Sequence, residues 1–245
     1  MPKSTGLGDN CYVDGFDLSG DVGAIDTIGG GPAALGVTAI DKSAMERLGG
    51  LRDGGLEFTS FFNPSALQEH AALKGLPTTD RIVSYFRGTT LGGEAASLVA
   101  KQINYDGTRG EDGSLTFKVQ ALANGFGLEW GRSLTAGKRT DGAPTNGASV
   151  DHTDVSTAFG WQAFLHVFAF TGTSVTVTLQ DSADDAAFAN LTGGAFTAAT
   201  GQTSQRLEGG RTATVRRYLR AITSGTFSNA VFAVVFTRNL TAVAY

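Results

Sequence analysis

The chain has 245 residues and is sparsely charged, with 19 Lys+Arg against 23 Asp+Glu and a single cysteine, Cys11, which excludes an intramolecular disulfide or a cysteine-built zinc site. The first 150 residues hold 13 basic and 17 acidic side chains and the rest hold six of each, so neither part has the basic footprint that grips nucleic-acid phosphates. No run reaches the roughly 18 apolar residues of a membrane helix, and the N-terminus lacks a basic region followed by an apolar one, so a soluble chain without a secretion signal is expected.

The 34 glycines and five prolines suit many turns and bulges between short strands. Residues 13–22 read as a strand broken by turns, and residues 29–32 as a loop. A short helix is predicted after Asp41, a fitting N-cap, with Met45 and Leu48 on its apolar side and Gly49-Gly50 closing it. Residues 56–62 alternate as a strand. Residues 63–75 carry the clearest helix signal: Asn63 as cap, Pro64 in the first turn, Gly75 as stop, and a stripe of Leu67, His70, Ala71 and Leu73. Strands follow at 81–87 and 96–105, then a turn at 106–113. Residues 114–122 set Leu115, Phe117 and Val119 against Thr116, Lys118 and Gln120, which is the period of two of a half-buried strand.

Residues 136–157 are polar, with almost no large apolar side chain, and read as a boundary between domains, with an exposed functional arm as the alternative. The expected organisation is a β domain over 1–140 with a short flanking helix, a linker over 141–157, and a β-sandwich over 158–245. In that last part residues 161–170 are apolar on both faces, with Phe164, Phe168 and Phe170 sharing a side with His166. Residues 171–174 read as a turn, after which Val175, Val177 and Leu179 alternate with Thr176, Thr178 and Gln180. Residues 229–236 place Phe232, Val234 and Phe236 on one side and Val231, Ala233 and Val235 on the other. Both faces of that strand want cover. Phe164, Phe168, Phe170, Phe232, Val234 and Phe236 are therefore the candidate domain or subunit interface.

No catalytic constellation is visible. The histidines His70, His152 and His166 lack helical metal-ligand spacing, the glycine runs at 6–8 and 29–31 lead into no phosphate-binding helix, and no cofactor is expected. Asp181, Asp184 and Asp185 lack the spacing of a calcium loop and fit a tight turn better. Strand alternation puts Arg217 with Val215 and Leu219 on an apolar face, where an unpaired guanidinium is costly. The expectation is a polar clasp in which Arg217 or a neighbour pairs with Asp181 or Asp184. Arg216, Tyr218 and Arg220, on the opposite face, suit a subunit contact or a solvated face, with stacking on a base or sugar as the alternative.

Residues 13–20, 51–63 and 127–131 resemble the major tail tube proteins of long-tailed phages of actinobacteria, and residues 180–184, 214–220 and 236–239 look like a β-sandwich recurrent in phage structural proteins. The resemblance implies a tail-tube β-barrel or sandwich whose subunits close into rings, six-fold by family expectation or three-fold with pseudo-six-fold symmetry. The rings stack into a tube through which DNA passes without specific binding. It further implies a virion protein made in the host cytoplasm, with other tail proteins at the tube ends as partners, no membrane and no catalysis. A glycan-binding virion module, with Trp161 and Tyr218 as its aromatics, and a capsid-decorating sandwich are the alternatives.

Overall fold

A computed structural model describes residues 5–153 and 155–243. Its strands are β1 (Asn10–Val13), β2 (Phe16–Asp17), β3 (Val22–Gly36) and β4 (Arg47–Phe61), then helix α1 (Glu69–Leu73). There follow β5 (Arg81–Phe86), β6 (Glu94–Gln102), β7 (Asp106–Arg109), β8 (Leu115–Ala123), β9 (Glu129–Ser133), β10 (Arg139–Asp141) and β11 (Val150–Asp151). The last part holds β12 (Trp161–Ser182), β13 (Ala189–Ala195), β14 (Thr203–Glu208) and β15 (Tyr218–Arg238). The chain is nearly all β, as expected, and its strands join into one antiparallel sheet whose longest path runs β13-β12-β15-β9-β6-β5-β1-β2.

Strands β12 and β15 pair along almost their whole length, from Trp161↔Arg238 to Ser182↔Tyr218. The expected turn at 171–174 is instead a bend within one strand. Register shifts at Val167/Ala169, Thr171/Gly172 and Gly172/Ser174 curl the pair without reversing it. Gly172, at φ 151, has no room for a Cβ against the Phe227 backbone, so only glycine fits this crossing. The curl brings Ala163, Leu165 and Val167 from one end and Val175, Val177 and Leu179 from the other into a single core with Phe232, Val234 and Phe236. Each bulge also reverses which face a side chain takes. Phe170 therefore packs on this core, while Phe164 and Phe168 lie on the opposite face with Tyr12, Ile82, Phe86 and Val235.

That opposite face is covered by the chain's own N-terminal half. Most of that half surrounds a separate core of Leu18, Leu56, Phe58, Leu73, Val83, Leu98 and Val119, and Tyr12 and Phe86 turn outward from it to meet Phe164 and Val235. Segment 141–157, expected to be a linker, lies along β15: β11 pairs with Leu219 and Tyr218, and Asn146 and Thr157 form bridges to Ile222 and Val215. Strands β9 and β10, from before that segment, also pair with β15. The sheet therefore runs continuously across the expected boundary.

Both predicted helices change. Residues 37–46 form the tip of the β3–β4 hairpin, with the Glu46 N–H donating to Thr38 Oγ1 at 2.8 Å, and residues 47–50 belong to β4. Met45 and Leu48 have no surface to pack on and stay exposed, so nothing rewards a short helix there. The second helix shrinks to Glu69–Leu73, and it buries Glu69, Ala72 and Leu73 while Leu67, with φ 63, and Ala71 stay exposed. Buried Glu69 decides this register. Its carboxylate accepts from Ser60 Oγ at 2.8 Å and Tyr105 Oη at 3.0 Å, and its N–H donates to Asp21 Oδ2 at 3.0 Å. The expected turn at 106–113 is in part strand, since β7 pairs with β8.

The seam between the halves is polar as well as apolar. Asp14 and Gly15, with φ 50 and 81, form a two-residue hairpin turn of the primed type between β1 and β2. The Gly15 N–H donates to His166 Nδ1 at 3.2 Å, which leaves Nε2 to donate to Ser84 Oγ at 2.9 Å; Ser84 in turn meets Ser97 at 2.7 Å. All three side chains are fully buried. Burial pushes His166 down to about 3 from its ordinary 6.5. The folded state thus holds a neutral imidazole that the unfolded chain protonates near 6.5, so its contribution is intact above that pH and is lost as pH falls toward 3. Replacing His166→Gln is expected to lower stability at pH 7 but to flatten its decline between pH 6.5 and 4 by about 1.4 kcal/mol per pH unit. Urea unfolding of both proteins across that range measures it; parallel declines would refute the assignment.

Candidate assembly surfaces

The most exposed apolar surface is on the β3–β4 hairpin. Beyond Gly55, which pairs with Leu122, β4 leaves its neighbour β8, and the two strands continue outward as a free ribbon. Leu35, Val37, Ile40, Met45, Leu48 and Leu51 are all exposed there, Leu51 at 88%. An isolated two-stranded ribbon is marginal in water, and apolar side chains clustered on one add surface that a soluble monomer normally hides.

A second unsatisfied surface adjoins its base. Among the described residues β3 pairs with β4 alone, so its other edge presents backbone groups without a strand partner. A groove of about 760 Å³ runs along the inner part of that edge, lined by Leu7, Val22, Ile25, Ile28, Tyr85 and Trp130. Trp130 is half exposed and meets Tyr85 edge-on at 6.4 Å. A large aromatic beside an unpaired strand edge is a common anchor for a protein partner.

The six residues expected at a domain or subunit interface all lie inside the chain. Phe164, Phe232, Val234 and Phe236 are fully buried within the chain, and Phe168 and Phe170 pack on its two cores. Phe164 and Phe168, with Ala233 and Val235, meet the chain's own first half, whereas Phe170, Phe232, Val234 and Phe236 belong to the core enclosed by β12 and β15. Trp161 is likewise buried, stacked on Phe236 at 5.6 Å, and offers no ring to a glycan.

The polar clasp exists with a different arginine. Strand β15 starts only at Tyr218, so the alternation assumed for residues 215–220 does not reach Arg217. Arg216 reaches buried Asp181: Nη2 donates to Oδ1 at 2.6 Å and Nε at 2.9 Å, while the Arg216 N–H donates to Oδ2 at 2.8 Å. Arg217 turns outward and donates from Nε and Nη2 to Asp151 at 2.7 and 2.8 Å. That pairing and the Thr153 N–H hold Asp151 down to about 2. Asp184 forms no ion pair with an arginine among the described residues. It accepts from Ser182 Oγ and from the N–H groups of Ala186 and Ala187, which hold it down to about 2 and close the turn after β12.

The histidines are structural. His152 is buried against β15 with its ring edge-on to Phe236, and burial together with Arg238 and Arg132 lowers it to about 3. His70 meets Tyr105 Oη at 2.9 Å. Among the described residues no three His, Cys, Asp or Glu side chains converge as metal ligands. Arg220, expected on a solvated face or subunit contact with stacking on a base or sugar as the alternative, donates to Gln180 Oε1 at 2.8 Å and lies over the Phe188 ring at 4.0 Å.

No protein-family model and no curated protein matches the sequence. Among solved structures, the chain is similar to a protein in the tail of an empty gene transfer agent particle refined with C6 symmetry. The identity is 15% over 53% of this chain and 98% of that one, with a TM-score of 0.40. It is also similar to the Dit protein of phage SPP1, at 12% identity over 94% and 99% of the two chains and a TM-score of 0.35. A chain of the phage p2 baseplate in its activated conformation overlaps 94% of this chain and 98% of its own, at 10% identity and a TM-score of 0.34.

The two arginine pairs differ in burial, and their removal separates them. Arg216→Met leaves the Asp181 carboxylate buried without its guanidinium and is expected to destabilise by about 1–3 kcal/mol. Arg217→Met breaks a half-exposed pair and is expected to cost less than Arg216→Met. Chemical denaturation of both variants checks the order, and a larger loss at Arg217 would reverse the assignment.

Proposed function

We propose that the chain is a structural subunit of a phage tail, most specifically a tail tube protein that closes into rings and stacks them into a channel for DNA. The observation that carries this reading is the apolar β3–β4 ribbon beside the unpaired edge of β3. A chain whose cores are otherwise well covered keeps a long strand edge and six large apolar side chains in water. Surfaces of that kind are liabilities in a monomer and joints in an assembly. Because the ribbon and the edge are different patches, copies that join through them form a heterologous contact, which closes into a ring when its rotation divides a full turn.

Charge fits a passage for DNA. The excess of four acidic groups lies in the first 150 residues, which also bear the ribbon, and a neutral or acidic wall does not hold phosphates. The role is mechanical and non-enzymatic: strand edges join, apolar arms lock, and the β12–β15 domain sits apart from the joints. Six-fold closure, with other tail proteins meeting the ends of the stack, is the form proposed.

Electron microscopy of the purified chain at high concentration should show rings or short tubes with a central channel. Leu35→Ser, Ile40→Ser and Leu48→Ser combined should leave circular dichroism and melting of the monomer unchanged while abolishing those particles. Monomers at every concentration for the native sequence would refute the proposal.

A further inference from the structure

The ribbon is built to change its angle. It loses the support of β8 at Gly55, and the first two cross-strand pairs beyond that point are Gly29↔Gly55 and Gly30↔Gly54. Four glycines thus face one another where the free ribbon begins, so no side chain spans the strands to stiffen them. They are not interchangeable. A Cβ on Gly54 would lie 2.7 Å from Leu128, and one on Gly30 would strike the Asp53 carbonyl, whereas one on Gly29 would make an ordinary 3.8 Å contact with Thr27 and one on Gly55 would meet Leu122 at 3.4 Å.

One contact restrains the ribbon just outside those pairs. Arg52, opposite Pro32, approaches Glu129 on β9 with Nη2 at 2.8 Å from Oε1. The approach is too far off line for a hydrogen bond, and Arg52 Nη1 is buried without a partner, so the attraction is coulombic and incompletely satisfied. Gly127 makes room for it, since a Cβ there would stand 3.2 Å from Arg52 Nε. Glu129 is buried and belongs to the body of the sheet, whereas Arg52 belongs to the ribbon.

We propose that Arg52 and Glu129 form a latch that sets the angle of the ribbon, and that the facing glycines are the hinge on which it turns when the latch opens against a second copy of the chain. The purpose of this device rests on the assembly reading above, but its test uses the free chain. The ion pair holds the ribbon in one presentation. An incoming carboxylate or backbone carbonyl that satisfies Arg52 better than the off-line Glu129 contact competes for the guanidinium and frees the ribbon to follow its neighbour.

Spin labels on Asp41→Cys at the tip and Lys118→Cys on β8, in a Cys11→Ala background, report the tip-to-body distance by double electron-electron resonance. The native pair should give one narrow distribution. Glu129→Gln should at least double its width. Adding Gly29→Thr with Gly55→Thr to that variant should narrow it again, and the exchanged pair Arg52→Glu with Glu129→Arg should restore the native width. A thermal melt of each variant establishes that the body is folded, and Arg52→Gln opens the latch from the exposed side if Glu129→Gln does not fold. An unchanged width in the open-latch variant, or no narrowing by the threonine pair, overturns the proposal. Rings that form while the widths stay constant would refute the latch alone; widths that respond as expected without rings would refute the assembly reading alone.

Discussion

The structure depends on one constraint: β12 and β15 have no wet face along their shared apolar stretch. Phe232, Val234 and Phe236 on one side, and Ala233 and Val235 on the other, both need cover. The chain meets the first need by bending the strand pair at its bulges until its two ends enclose a core. It meets the second by laying β1, β5 and β6 across the opposite face. Burying a large apolar side chain is worth roughly 1.5–3 kcal/mol, so this double cover outweighs any tendency of the halves to separate.

The polar groups at that seam give it a single register. His166 accepts from the Gly15 backbone and reaches Ser84, while Gln202 and Ser204 hold Gly15 and Asp14 of the same turn. Apolar contact alone tolerates sliding. A buried imidazole with both nitrogens satisfied does not, because a shift of a single residue would leave a donor or acceptor without a partner. With its central joint thus closed, the chain still leaves six large apolar side chains exposed on the β3–β4 ribbon, beside the edge of β3.

Much of the strand content was legible because alternation depends on local sequence. Residues 56–61, 81–86, 115–122 and 175–180 lie within strands, and Leu56, Phe58, Val119, Val175, Val177 and Leu179 are buried as their alternation predicts, whereas Leu115 and Phe117 are only partly buried and Phe62 is exposed. The helix expected after Asp41 was not, because its cap and stop signals had no packing surface and cross-strand bonds to β3 satisfied its backbone instead. The helix over 63–75 shortened for the opposite reason. Glu69, its carboxylate held by Ser60 and Tyr105 and its N–H by Asp21, fixed its register, and of these partners Tyr105 and Asp21 are far away in sequence. The clasp at Asp181 was read to within one residue. The error came from extending strand alternation into residues 215–217, where the chain is still turning.

The sequence by itself determined the nearly all-β class of the fold, through strand periodicity, glycine-rich turns and a two-faced apolar strand. Tertiary structure alone decided which surfaces are spent inside the chain and which are left over. Phe164 and Phe236 looked like interface residues and are internal; Leu35, Ile40 and Leu48 drew no notice as an interface and are exposed. The reason is physical. Periodicity reports that a face is apolar, but what covers it depends on bends and pairings set by bulges, and by glycines whose effect appears only when distant strands meet.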